Sequence, residues 1–507
     1  MSVLNLRCSA SVLFLLSTSS ASFAEISAQD TWNDWKEYFK GVGYTVTATE
    51  NQSGNTLIVK DMVFTAPSSE EVGTMSMTLE TVTFRENGDG SVAVIFPEVS
   101  PVAINAVNPD GEKIDVNLEV LQSGLTATVS GEPTDMTSVY GAQSVEMRLA
   151  GVTVGGETLS PEDAAMSLVM QGLSGTTQTT LTDMRRYDQR MQSSAVSYDI
   201  TFVDPEGTGS ADIQGQLDGL SYAGTNALPL NVVAAGDMLE LLEAGMAVDG
   251  TFSYSGGSST IGVVENGVDA MNAKMSSSGG TLGILMGAGG LEYVAAQQGI
   301  NVSMTAQDLP VPVEFNMAEG AFNLAMPLQK SDEMSDFAAG FSLTDFSMSD
   351  LLWGMFDPSA QLPRDPATLV LDLTGKARLL FDFLDPSAAV VSGDPNVTPA
   401  EIGSVDINRL QVTVAGAELT GEGAFTFDNS APVGPPKPEG AVNLSLVGGN
   451  KLLDTLVAMG LVPEEQAMGA RMMMGLLAVP GNAPDTLNSK IEINEEGHIL
   501  ANGQRIQ

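Results

Sequence analysis

The chain has 507 residues, with 21 Lys+Arg against 63 Asp+Glu and a formal net charge of −42. A field of that sign repels nucleic acid and anionic lipid surfaces, so no nucleic-acid partner is expected. Disorder is excluded too, because 43% of the residues are apolar and arrive in periodic blocks between turn residues, enough to offset the entropy of ordering the chain.

Residues 1–24 have the form of a secretory signal peptide. Arg7 precedes an apolar run from Val12 to Leu16, and the small residues Ser22 and Ala24 place a cleavage site between Ala24 and Glu25. Removal would take away Arg7 and no acid, leaving 20 basic residues against 63 acidic ones. Cys8 is the one cysteine, and it precedes the apolar run, where no lipid-modified cysteine would stand. The exported chain is therefore expected to hold no disulfide, thiolate ligand or nucleophilic cysteine. A periplasmic location is expected, with an extracellular one as the alternative. No later stretch reaches the roughly 18 uninterrupted apolar residues of a spanning helix, so no transmembrane span is expected after signal removal.

"DTWNDWKEYFKG" predicts a helix with Asp30 as N-cap, Trp32, Trp35 and Phe39 on one face and Gly41 as its stop. Alternation of period two then takes over: Tyr44-Val46-Ala48, Val92-Val94-Phe96, Ile114-Val116-Leu118-Val120, Leu125-Ala127-Val129, Val145-Met147-Leu149 and Val196-Tyr198-Ile200-Phe202 read as half-buried strands. "NQSGN", "NGDG" and "NPDG" supply the turns between them, and strands joined so tightly are antiparallel neighbours. In "MSMTLETVTF" the apolar phase changes between Leu79 and Val82, which predicts a bulge where the sheet bends. Short helices are expected at 236–248 and 291–299. Leu369-Leu371-Leu373, Phe425-Phe427 and Val442-Leu444-Leu446 continue the strands, and "VDGTFSY", "AEGAFNL" and "GEGAFTF" repeat a Gly-then-Phe strand start at irregular spacing. Proline-rich 431–440 reads as a loop.

Near the end, "NKLLDTLVAMG" predicts a helix capped by Asn450 and stopped at Gly460. A second helix is expected over 463–479, with Pro463 at its first position. Met468, Met472, Leu476 and Val479 form one stripe on it, and Met473, Met474 and Leu477 lie off that stripe, so burial on more than one side is expected. "SKIEI" and "HILANG" close the chain as strands.

The fold expected is mainly β, a long antiparallel meander forming curved sheets or open rolls with a few short helices capping the ends. Two β-rich lobes are expected, 25–225 and 226–507, the second carrying the Met-rich helical pair at 450–479.

"LPRDPATLVLDLTG", "GAELTGEGAFTFDN", "LVAMGLVPEEQAMGARMMMGL" and "ILANGQRIQ" resemble an uncharacterised exported family of alphaproteobacteria, domain of unknown function 2125. The resemblance extends over most of the chain after residue 24 and is most specific in the last 150 or so residues. It implies a bacterial envelope location and carries no activity, cofactor or catalytic residue.

His498 is the single histidine, too little for a zinc site or a Ser-His-Asp system, and it reads as a surface residue after a turn. The acidic turns at 87–91 and 204–212 lack the spacing of a calcium loop and read as hairpin turns. No cofactor, metal or catalytic residue is expected. Arg185, Arg186 and Arg190 place three guanidinium groups within six positions, a candidate site for an anionic headgroup set against ion pairing with nearby carboxylates. Met468, Met472 and Leu476 are the candidate lining of an apolar cleft, set against simple core filling. The function expected is a noncatalytic exported protein that binds or passes a lipid or other amphipathic ligand in an apolar groove. The alternative is a structural or protein-interaction module.

Overall fold

A computed structural model describes residues 25–66, 74–108, 111–204, 208–230, 238–385, 399–430 and 436–507. Residues 1–24, expected to form a signal peptide, and parts of the turns expected at 108–111 and 204–212, of the helix expected at 236–248 and of the loop expected at 431–440, lie outside the described residues.

Helix α1 (Ala28–Gly41) opens the chain. Its cap is Ser27, three residues before the Asp30 expected. The Ser27 side chain accepts from the Asp30 amide while the Asp30 carboxylate accepts from the Ser27 amide, so two otherwise orphaned donors are satisfied at once. The strands follow as β1 (Thr45–Ser53), β2 (Thr56–Thr65), β3 (Thr74–Glu86), β4 (Val92–Ile95), β5 (Val99–Val107), β6 (Lys113–Ser123), β7 (Thr126–Glu132), β8 (Asp135–Val154), β9 (Glu157–Leu159), β10 (Ala164–Leu181), β11 (Met184–Val203) and β12 (Gly209–Pro229). After α2 (Met238–Glu243) come β13 (Ala247–Tyr254), β14 (Gly256–Glu265), β15 (Val268–Ser277), β16 (Gly279–Gly287), β17 (Gly290–Ala306), β18 (Val313–Met326) and β19 (Ser335–Met348). Beyond α3 (Asp350–Phe356) lie β20 (Ala367–Leu379), β21 (Ala400–Val414), β22 (Ala417–Asp428) and β23 (Lys437–Val447), then the helices α4 (Gly449–Ala458) and α5 (Glu464–Leu477). The described chain closes with β24 (Val479–Pro480), β25 (Thr486–Ile493), β26 (Ile499–Ala501) and β27 (Gln504–Arg505).

All of the named strand pairings are antiparallel, and they join one ladder in which chain order is close to spatial order. β1, β2 and β3 pair in turn; β3 then receives the two half-length strands β4 and β5, which pair with β7 and β6, and these with β8. β8, β10, β11 and β12 follow singly; β13 and β14 share the next row, β16 and β15 the one after, and β17 to β23 and β25 complete the run. The mainly antiparallel β architecture with short end helices is thus present. Residue 225, where two lobes were expected to meet, lies inside β12 and pairs with Asp188 on one side and Asp249 on the other.

A line of irregular residues crosses this ladder at right angles to the strands. Asp61, Gly124, Gly172, Gly219, Gly299 and Asp345 all have positive φ, from 50° to 63°. In register, Glu80 faces Asp61, Gln143 stands between Gly124 and Gly172, and Ser194 between Gly172 and Gly219. Ser255 then faces Gly219, and Ser278 faces Gly299. From β8 to β19 both partner strands carry one extra residue at each crossing, so the register is kept and the side-chain phase flips in both; between β1 and β2 and between β19 and β20 only one strand carries it, and the register shifts by one. In β12 the inner residues are Ala211, Ile213 and Leu217 before the line and Leu220 and Tyr222 after it; in β11 they are Met191 and Ser193, then Val196, Tyr198 and Ile200. The phase change at Leu79 and Val82 is the first of these crossings, since Leu79 pairs with Met62 and Val82 with Val59 around the omitted Asp61 and Glu80. Serine hydroxyls reinforce the backbone there: Ser194 Oγ donates to Gln171 O at 2.9 Å, and Asp218 O accepts from the Ser255 amide at 2.8 Å and from its hydroxyl at 3.1 Å. An added residue bends its strand, and here it stands on the polar side, lengthening that side. The apolar face is therefore the inside of a continuous crease.

Two deep clusters exist among the described residues. Under α1, Trp32 packs with Leu57, Val59, Met62, Val82, Phe84 and Val92, each at most 1% exposed. The second gathers Leu241, Leu242, Met246 and Leu328 around α2.

Three helical expectations are corrected. Residues 291–299 are not helical but belong to β17, because Leu291, Tyr293 and Ala295 alternate onto the inner face opposite Met286, Ile284 and Leu282. Helix α4 is not capped by Asn450, which lies inside it; the Asp485 carboxylate, arriving from a distant turn, accepts from the Asn450 and Lys451 amides. Pro463 is the extended residue before α5, not its first helical one.

Candidate functional site

The inner face of the sheet is apolar along its whole length. From β10 to β23, the inward register positions hold one charged residue within the strands, Arg185, with Glu265 at the rim. In a chain of net charge −42, that is a segregation of charge onto one side. Under α1 the inner face is sealed, with Val82 and Phe84 at 0% exposure. Beyond it, among the described residues, α2 packs on the strand ends at Leu228, Met286 and Leu291, while further along the strands Phe202 is 47%, Phe252 41% and Phe322 43% exposed.

Aromatic rings lie flat on this face because glycines on neighbouring strands leave them room. A carbon placed on Gly215 would stand 2.3 Å from the Tyr198 hydroxyl, one on Gly175 would stand 2.4 Å from the Tyr140 ring, and one on Gly375 would meet the Phe337 ring at 2.6 Å. Tyr222 covers Gly250 in the same way and packs against Phe252, ring centroids 4.5 Å apart and planes tilted by 38°. The repeated Gly-then-Phe starts have this use: Gly250 and Phe252, Gly320 and Phe322, and Gly423 and Phe425 all face inward. Across the crease the two halves touch, with the Tyr254 hydroxyl 3.1 Å from Ser277 Oγ. The surface so made is smooth, and its backbone groups are already paired within the ladder. It offers dispersion contact to hydrocarbon and almost nothing to a charged ligand.

The arginine cluster is not one site. Strand periodicity sends Arg185 inward and Arg186 and Arg190 to the opposite face. Arg185 is 4% exposed and pairs with Asp34 of α1 at 2.5 Å, pinning the helix to β11; the Tyr187 hydroxyl beside it accepts from the Arg185 guanidinium at 3.2 Å. Burial opposes the Arg185 charge, yet Asp34 and Tyr187 raise its pKa, while burial pushes the Tyr187 hydroxyl up to about 12. Arg190 is exposed and 3.4 Å from Asp188. A cavity of about 370 Å³ lies beside this pair, lined by Tyr38, Val42, Leu181, Arg185, Leu228 and Leu241.

The methionine helix is also not where its composition put it. On α5 only Ala467 is buried, whereas Met468 is 64%, Met472 72% and Leu476 54% exposed. Expected burial on several sides fails because α5 seats against α4 and β25 only through Ala467, Arg471 and its end: Ala467 is buried, Arg471 pairs with Asp454, and Leu477 O accepts from Ser489 Oγ at 2.6 Å. Met468, Met472 and Leu476 therefore do not fill a core. His498 sits in the 494–498 turn, its amide donating to Asn494 Oδ1. Asp89 accepts from the Ser91 amide and hydroxyl within the 87–91 hairpin turn, so that turn satisfies its own carboxylate. Apolar strand faces were expected to line a groove, but none of the inward residues of β11 to β23 was singled out from the sequence, because the phase change there falls at glycine and serine, which carry no apolar signal.

Residues 263–497, from late β14 to the turn before β26, match a family described as an uncharacterized protein conserved in bacteria (DUF2125). This is a shorter span than the sequence motifs suggested, and it includes the second half of the open apolar face. Neither a curated protein nor a solved structure matches the chain. Among the described residues no helix is long and apolar enough to cross a membrane.

Proposed function

We propose that this is a noncatalytic exported protein of the bacterial envelope that binds or passes a lipid, whose hydrocarbon part lies on the creased inner face. The observation that carries this reading is the pairing of exposure with absence of charge over the middle strands. Apolar patches beyond a few hundred Å² on a soluble chain mark interaction surfaces, and each hydrocarbon CH₂ withdrawn from water contributes about 0.8 kcal/mol. A zwitterionic or neutral headgroup suits the acidic outer side better than an anionic one. Export rests on the signal-like residues 1–24, and a periplasmic place and alphaproteobacterial origin rest on the family resemblance. The alternative, a structural or protein-interaction module, draws its support from the exposed Met468, Met472 and Leu476 of α5. Native mass spectrometry of protein purified gently from its own host separates the two: retained lipid is the expected result, and clean apo-protein with co-purifying protein partners would favour the module.

A further inference from the structure

We infer that the crease turns the inner face into a trough running across the strands, and that this trough holds several acyl chains in file, so that one protein carries more than one lipid. The inference rests on the lipid-binding reading above and adds to it a direction, a length and a number.

Direction comes from the line of positive-φ residues. Gly124, Gly172, Gly219, Gly299 and Asp345, with Gln143, Ser194, Ser255 and Ser278 facing them on the rows between, mark the bottom of the bend, and the line they form runs across the strands. A chain lying at the bottom touches both walls, for example Leu217 and Leu220 of β12, or Met317 and Gly320 of β18. A chain lying along a strand touches one wall. Length follows from the ladder: from β8 to β23 the open rows extend about 60 Å at ~4.8 Å per strand. One acyl chain spans about half of a ~30 Å bilayer core, so a single chain covers only about a quarter of the trough. No inward charge, helix or insertion among the described residues divides the middle rows into separate pockets, since Arg185 stands near the end of its strand beside α1. One end is shut, because α1 and Trp32 fill the inner face over β2 to β4.

The test uses the full mature chain, stripped of lipid, incubated with dioleoylphosphatidylcholine vesicles and reisolated, with lipid phosphorus counted per protein. Two variants, Ile213→Lys on β12 and Phe425→Lys on β22, place one charge each at distant inner positions. The expected result is two to four lipids on the unaltered chain and a partial loss in each variant. A count of one or less on the unaltered chain overturns the file while leaving the lipid-binding reading standing. No lipid at all, from vesicles or from the native host, overturns that reading as well. Should a lysine variant fail to fold by circular dichroism, the count on the unaltered chain still decides; abolition by one variant with no effect of the other means one discrete pocket and also overturns the file.

Discussion

Gly219 shows how much one residue can hold in this sheet. Its φ of +58° disfavours any side chain, and a carbon there would stand 2.5 Å from Ser255 Oγ. Gly219→Ala is expected to cost about 1–3 kcal/mol, and Ser255→Gly in the same chain should restore part of it; urea unfolding of the two single variants and the double measures the coupling. Equal loss with and without Ser255 would mean that backbone strain alone sets the cost. Glu50 is a second informative residue. Burial raises its pKa, but hydrogen bonds from Lys36 at 2.8 Å, Trp32 Nε1 at 2.7 Å and Gln29 outweigh that and hold it below the usual 4.5. A depressed carboxylate stabilises the fold above its ordinary pKa, and that contribution is lost as pH falls through the lowered value. Acidification below about pH 4.5 should therefore loosen α1, and Glu50→Gln should flatten this part of the stability profile; an unchanged acid profile by tryptophan fluorescence would count against it.

Among the elements, α5 separates composition from environment. Met472 is 72% exposed, so Met472→Ala should change stability by no more than about 0.5 kcal/mol. Leu57→Ala, at 1% exposure under α1, should cost about 2–5 kcal/mol. Denaturant midpoints of the two variants check this, and a comparable loss for Met472 would mean that α5 has a partner in solution. Hydrophobicity told that α5 exists, but not that it stops at Leu477 with Val479 already paired in β24, nor what it covers, because both depend on the chain segments that reach it. The strands were legible for the opposite reason: alternation is written residue by residue, as in Val196-Tyr198-Ile200-Phe202. Residues 291–299 misled because Ala295, Ala296, Gln297 and Gln298 favour helix locally, while the decisive inward set of Leu291, Tyr293 and Ala295 needs a partner strand to be seen. The crease was visible once, at Leu79 and Val82. Elsewhere the same phase change is masked by glycine and serine, which carry no apolar signal of their own.

Over the described residues, contacts run almost entirely between adjacent rows of the ladder, and one end is far better packed than the middle. Stability in such arrays is a sum of local terms, so opening need not be all-or-none. Hydrogen exchange should be slowest in β2, β3 and β4 under Trp32 and Phe84, with the rows from β13 to β19 opening independently and faster. Mass-resolved exchange would show two or more separate protected classes; uniform protection from β2 to β25 would require a second layer over the open face.

The paired extra residues at Gly172 with Ser194, and at Gly219 with Ser255, also constrain how the gene for such a protein can change. Deleting either member alone would invert every side chain beyond it on one strand and send its apolar set into water. Duplicating a complete hairpin, with its own bend residue at the matching distance from the turn, disturbs neither end. Overall length is therefore the quantity this architecture leaves easiest to alter, two strands at a time, whereas the position of the bend within each strand is held almost fixed. A chain carrying a second copy of β18 and β19, residues 313–348, in tandem should fold and be longer by two strand spacings, about 10 Å, a difference that small-angle scattering can read.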